Sequence, residues 1–273
     1  MSAHYPLDFQ PGHRLPEPGS TTYYFAFRGR ELLVTETHTL PATLDGLVVA
    51  RQQYLGTLNG VHCVSAQLQV EVDAPGGHRF RDLRRLFGRL EHTLLAVAGR
   101  AVQIVEWDRT HQFCGACGKP TELSESDRSR RCPDCRIPLF PRLAPAMIVA
   151  VERGNELLLA RSSHFPPGIF SVLAGFVEPG ESAEEAVIRE VYEETRIVVD
   201  DVRYFGSQPW PFPNSLMLGF TARYRAGEID ITEDELEDAG WFTADALPAV
   251  FPGNMSISQW LIRDFVRRHP PRR

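Results

Sequence analysis

Glu190, Glu193 and Glu194 fall at i, i+3 and i+4 within SAEEAVIREVYEET, so on a helix their carboxylates share one face. Like charges grouped this closely repel, and a cation on that face would reverse the penalty. Hard divalent ions take oxygen ligands, and Mg²⁺ is the usual one beside phosphates. The bland alternative is an acidic, solvated helix surface. Ala186, Val187, Val191 and Ile197 supply the opposite apolar stripe. The loop from Gly175 to Gly180 ahead of the helix allows backbone to approach a ligand closely.

Sulfur forms a second constellation. Cys114 and Cys117 make CGAC, Cys132 and Cys135 make CPDC, and fourteen residues separate the pairs. Two such pairs offer four thiolates to one ion, which suits a closed, tetrahedral structural Zn²⁺. The segment has too little apolar content for a core, so metal ligation must supply its folding energy. A redox pair would instead need one CxxC opening a helix in a βαβ setting. Arg128, Arg130, Arg131 and Arg136 lie near the second pair as a local basic cluster or a solvated loop. Cys63 stands alone in a strand-like run and reads as a small buried hydrophobe.

A third stretch, SQPWPFPNS at 207–215, alternates proline with large aromatics. Pro209, Pro211 and Pro213 stiffen the chain, so Trp210 and Phe212 are held at a fixed spacing where a flat ring could stack. Both aromatics could equally plug a core beneath a turn.

Three segments must position these groups. From about Tyr23 to Trp107, short alternating runs suggest a mostly antiparallel sheet. Leu83, Leu86, Leu90 and Leu94 then recur at helical steps, predicting an amphipathic helix that ends near Gly99. Residues 111–137 carry the cysteines. From Phe140 onward APAMIVAVE, NELLLARS, IFSVLAGFVEPG, VRYFGSQPW and SLMLGFTARYRAG read as strands, with helices at SAEEAVIREVYEET and SISQWLIRDFVRRH. That is an α/β domain. The resulting domain reading is 1–110 for an N-terminal α+β domain, 111–138 for a zinc ribbon and 139–273 for the α/β domain.

The 273 residues suit about two domains with their own cores, and 43% apolar with 23% charged residues is a globular composition. A net charge of −6 gives no general drive toward nucleic acid. No signal-peptide-like or membrane-spanning run is evident, so a cytoplasmic protein without membrane association is expected.

The stretch 175–197 resembles the Nudix box, G-x5-E-x7-R-E-U-x-E-E-x-G-U, where U is aliphatic. Gly175, Glu181, Arg189, Glu190, Val191, Glu193, Glu194 and Ile197 match, and Arg196 replaces the second glycine. That glycine's place is where a left-handed residue closes a helix, so Arg196 there predicts a slightly altered helix exit with activity retained. SQPWPFPNS further resembles the signature of the NADH pyrophosphatase branch, the NudC family, in which a Cys₄ ribbon also precedes the Nudix domain. The resemblance implies a Nudix α/β/α sandwich and hydrolysis of NAD(H) to nicotinamide mononucleotide and AMP with Mg²⁺ or Mn²⁺. It also implies removal of NAD caps from RNA 5′ ends by a homodimer.

By the same resemblance, Glu190, Glu193, Glu194 and Glu235 would be the Mg²⁺ or Mn²⁺ ligands. Catalysis would rest on Glu190, Glu193 and Glu194, with Arg189 orienting the carboxylates and Glu181 supporting them. Substrate contacts would come from Phe140, Ala174, Phe176, Gln208, Pro209, Trp210, Pro211, Phe212, Pro213, Ser215 and Ser258. Phe140 stands where the family often has Tyr, and Ser258 where Ala is common. For RNA, candidates are Arg128, Arg130 and Arg131, or the tail Arg267, Arg268, Arg272 and Arg273. Competing readings are a Nudix enzyme for ADP-ribose, ADP-sugars or dinucleoside polyphosphates, and an inactive scaffold that binds RNA or protein through its ribbon.

Overall fold

The computed structural model describes residues 8–13, 19–231 and 235–270. They form two compact units, one of residues up to Arg142 with Pro211–Asn214, the other of Leu143–Trp210 and the chain from Ser215 onward.

In the first unit, β1 (Phe9–Pro11), β2 (Thr22–Arg28), β3 (Glu31–Thr35), β4 (Val49–Leu58), β5 (Val61–Leu68) and β6 (His78–Asp82) build a sheet in the order β1-β4-β5-β2-β3-β6. All pairings are antiparallel except β2 with β5. The expected helix is displaced. Leu83–Leu86 form a single 3₁₀ turn, and α1 spans His92–Thr110, running through Gly99. Two local features explain the shift. Gly88 is left-handed at φ 71°, which interrupts the leucine periodicity. Glu91 then accepts hydrogen bonds from the N–H groups of Thr93 and Leu94 and starts the new helix. Gly99 serves close packing: a Cβ there would sit 3.2 Å from the Pro211 ring. Cys63 is fully buried in β5, as its surroundings implied.

The ribbon follows in the same unit as β7 (Glu122–Leu123), β8 (Arg130–Arg131) and β9 (Pro138–Leu139), paired in that order. Arg130 is buried, donating to Asp108 of α1 at 2.6 Å and to the hydroxyl and carbonyl of Thr121 at 2.8 and 2.7 Å. Arg128 donates to the carbonyls of Tyr54, at 2.7 Å, and Gly12. Both guanidiniums are therefore committed to the protein's own interior, which removes them from the candidates for RNA. Of that cluster Arg131 and Arg136 are exposed.

The second unit contains β10 (Ala144–Arg153), β11 (Glu156–Ser162), β12 (Leu173–Phe176), α2 (Ala183–Thr195), β13 (Val198–Trp210), β14 (Ser215–Ala226), β15 (Leu236–Thr243) and α3 (Ile257–Arg268). The sheet runs β13-β14-β10-β11-β15, and β12 also pairs with β10. Here too one pairing is parallel, β10 with β14. Alternation along β10 sends Met147, Val149 and Val151 to the α2 core and Ile148 and Ala150 to the α3 core. Burial on both faces explains why APAMIVAV is a continuous apolar run. The result is the expected α/β/α layering. β15 was not foreseen: its acidic sequence, LEDAGWFT, reads as surface, yet it closes the sheet edge against β11. β13 forms the opposite edge, where a proline's missing N–H is tolerated, and Pro209 and Trp210 remain within the strand. Among the described residues no helix is long and apolar enough to cross a membrane.

Candidate active site

α2 opens with a reciprocal cap, the Ser182 hydroxyl accepting from the Glu185 N–H at 3.2 Å and the Glu185 carboxylate from the Ser182 N–H at 2.7 Å. Its last residue is followed by Arg196 at φ 60°, ψ 12°. The left-handed closure therefore persists without glycine. Between these ends the apolar stripe of Ala186, Val187 and Val191 is fully buried, which fixes the acidic face.

Gly175 lies on β12 against that face. A Cβ at this position would stand 2.0 Å from the Glu190 carboxyl carbon, so any larger residue would displace the carboxylate. Arg189 ties the cluster together. Its Nε lies 3.1 Å from both Glu181 oxygens, Nη1 lies 3.0 Å from Glu190 and 2.9 Å from Glu193, and Nη2 donates to the Phe176 carbonyl at 2.9 Å. Arg189 also holds Glu181 below the ordinary carboxylate range, and Glu181 in turn raises Arg189.

Glu194 is the uncompensated member. Burial pushes its pKa up to about 8, reinforced by the charges of Glu190, Glu235 and Glu193. Glu190 is raised as well, through burial opposed by Arg189. The Glu194 Oε2 is buried with no hydrogen-bond partner. Glu235 is exposed in the turn before β15, near enough for its charge to reach both glutamates. An orphaned oxygen crowded by further carboxylates is the donor set a hard divalent cation fits. Glu190, Glu193, Glu194 and Glu235 are the candidates to hold it, though their ligand atoms do not all lie as close together as those of the cysteine group.

Residues assigned to the substrate divide by register. Ala146 pairs with Met217 and with Phe176, and Met217 with Gln208. One row, Gln208–Met217–Ala146–Phe176, thus crosses the sheet. Its neighbour Ser207–Leu218–Met147–Gly175 faces α2, so the first row faces α3. Ala174 and Trp210 share that α3 side. Phe176 is exposed, Trp210 half-buried. Ser258 is buried, its hydroxyl 2.7 Å from that of Ser171, and Ser215 is buried at the start of β14.

Pro211–Asn214 cluster with the first unit. There Arg30 donates to the Pro211 carbonyl at 2.6 Å, and the Arg84 guanidinium stacks 4.1 Å from the Phe212 ring centroid. Phe140, also in that unit, is exposed. Arg267 and Arg268 pair with Asp264, and Arg268 also with Glu152; Arg272 and Arg273 lie outside the described residues. The parts played by Arg30, Arg84 and Arg130 were not foreseen, because no local motif marks them.

The four cysteine Sγ atoms all lie within 4.8 Å of one another, the one such His/Cys/Asp/Glu group among the described residues. Each pair closes the same backbone loop. The Gly118 N–H donates to the Cys114 carbonyl at 2.8 Å, and the Arg136 N–H to that of Cys132 at 2.9 Å. Gly118 and Arg136 are both left-handed, at φ 72° and 58°. The N–H groups of Ala116 and Cys117 lower the Cys114 thiol to about 7, while the neighbouring sulfurs raise those of Cys117 and Cys135, as four thiols crowded together without a cation between them would. Four converging sulfurs on two turns fit Zn²⁺.

A mixed sheet between two helices, with a glycine-backed carboxylate helix at one end, defines a Nudix domain. Family models agree: a NUDIX domain matches 141–262, an NADH pyrophosphatase zinc ribbon domain 109–140, and an NADH pyrophosphatase-like rudimentary NUDIX domain 21–107. The last match was not anticipated; both sheets contain a single parallel strand pair, but α1 carries no glutamate box. Stutzerimonas stutzeri has a protein named NAD-capped RNA hydrolase NudC that is 46% identical over 222 residues, covering 81% of this chain and 80% of that one. Its namesake in Deinococcus radiodurans is 43% identical over 265 residues, covering 95% and 92%. The crystal structure of a NUDIX hydrolase from Nitrosomonas europaea shares the fold, with a TM-score of 0.50, 23% identity and coverage of 58% of this chain and 92% of that one. This chain belongs to the NudC family.

Proposed function

We propose that the chain hydrolyses the diphosphate of NAD(H) to nicotinamide mononucleotide and AMP, and removes the NAD cap from RNA to leave a 5′-monophosphate end. The observation that carries the reaction type is the buried, partnerless Glu194 oxygen amid Glu190, Glu193 and Glu235. Identity with relatives named NAD-capped RNA hydrolase across four-fifths or more of the chain supports the substrate.

In this reading Glu190, Glu193, Glu194 and Glu235 hold Mg²⁺ or Mn²⁺. When bound, such ions neutralise diphosphate oxygens and acidify water. Arg189 keeps the carboxylates in register and fastens β12 through the Phe176 carbonyl. Phe176 and Trp210 offer ring faces on the α3 side, while Ala174, Gln208, Pro209, Ser215 and Ser258 border them. Substrate contacts by Phe140, Pro211, Phe212 and Pro213 and a homodimeric state belong to the same proposal. The domain reading of 1–110, 111–138 and 139–273, with Zn²⁺ in the middle part, and a cytoplasmic location belong to the same proposal.

The test supplies purified protein and Mg²⁺ with NADH, NAD⁺, ADP-ribose, diadenosine diphosphate and NAD-capped RNA in parallel. NADH or capped RNA should turn over fastest, yielding mononucleotide products or 5′-monophosphate ends, and Glu194→Gln should abolish both. Faster cleavage of ADP-ribose than of either would overturn the substrate assignment while leaving the box intact.

A further inference from the structure

The segment 251–257, which leads into α3, is held by side chains at most of its backbone carbonyls and at three of its N–H groups. Gln259 Nε2 donates to the carbonyls of Phe251 at 2.8 Å and Pro252 at 2.5 Å. Arg263 donates to Gly253 at 2.7 Å and Trp260 Nε1 to Asn254 at 3.1 Å. Gln259 Oε1 accepts from the N–H groups of Met255 and Ser256 at 2.5 and 3.0 Å. Those three clamps all come from α3 itself. The fourth does not: Gln208, on β13, donates to the Met255 carbonyl at 2.6 Å and accepts from the Ile257 N–H at 2.8 Å.

Gln208 thereby joins the edge strand of the sheet to the turn that opens α3. It also stands in the row that reaches Phe176, two residues from Trp210 on the same side. Both polar ends of its carboxamide are aligned on the backbone of another segment, which fixes the orientation of the side chain toward that turn. We propose that Gln208 is a positioning residue: it sets the 251–257 turn as a rim of the α3-side surface where a flat ring is bound, without touching the substrate. The inference deepens the proposed function and rests on that reading for the identity of the ring.

The test uses Gln208→Met, which keeps the bulk and removes both hydrogen bonds. Amide hydrogen exchange without substrate should quicken about tenfold at Ile257 and its neighbours and stay unchanged at α2. For NADH hydrolysis, KM should rise about five- to tenfold with kcat within twofold. Arg263→Met, which loosens the same turn at Gly253, should combine with it non-additively in KM.

A raised KM with unchanged exchange, additive with Arg263→Met, would mean direct contact and overturn the proposal; so would faster exchange with unaltered KM. If the wild-type protein does not cleave NADH, the functional reading fails separately. Exchange, together with NADH affinity read by intrinsic fluorescence, still decides the role of Gln208.

Discussion

Glu194→Gln should make the magnesium-free protein more stable as it destroys activity. The Glu194 pKa is raised from 4.5 to about 8, so between those values the native chain holds a proton that the unfolded chain releases. Stability is therefore present in full below pH 4.5 and falls as pH rises toward 8. At about 1.4 kcal/mol per pH unit, the penalty for ionised Glu194 approaches about 5 kcal/mol above pH 8. Glutamine keeps the shape and cannot ionise. In magnesium-free buffer with the ribbon zinc-loaded, urea unfolding should show the variant ahead by about 3–5 kcal/mol at pH 8 and within about 1 kcal/mol of wild type at pH 5. Added Mg²⁺ narrows the gap: at a hundredfold excess over Kd the wild type gains about 2.7 kcal/mol against that deficit, and the variant much less. Equal stability at pH 8, or an equal magnesium response, would refute the reasoning.

Arg130→Met leaves Asp108, whose side chain is 3% exposed, with only Gln112 at 3.3 Å and the more distant Arg51 at 3.9 Å, and should lower stability by about 3 kcal/mol; adding Asp108→Leu should recover most of it in thermal melts. Cys63, raised to about 11 by burial, should resist thiol reagents at pH 8 in folded protein, whereas all five cysteines react after chelation and unfolding. Cys132→Ser should hold less than about a tenth of an equivalent of zinc by elemental analysis, against one for wild type. Arg196→Gly relieves a left-handed residue and should raise stability by about 1 kcal/mol without altering kcat.

What was legible in the sequence was local. The glutamate box and its apolar stripe lie within one helix, where spacing translates directly into geometry. The cysteine pairs were legible for the same reason. The exit at Arg196, expected to be altered, keeps the left-handed form. The α1 start was missed because leucine spacing alone does not show that Gly88 breaks the run and Glu91 caps a new one. β15 was hidden because its acidic residues obscure the alternation of an edge strand. Arg130 reads as a surface cation until Asp108, twenty-two residues away, is seen beside it. Gln208 and Met255 are forty-seven residues apart, and no sequence pattern specifies such a bond.

The two cysteine turns share a backbone path but differ in the left-handed residue that closes each, and that makes the halves of the ribbon unequal partners for the metal. Gly118 adopts its left-handed angle freely, whereas Arg136 does so against a steric penalty of about 1 kcal/mol. The Cys114/Cys117 half thus closes without strain and the Cys132/Cys135 half is drawn into shape. Loading should begin at the first pair, and under competition for zinc the second should let go first.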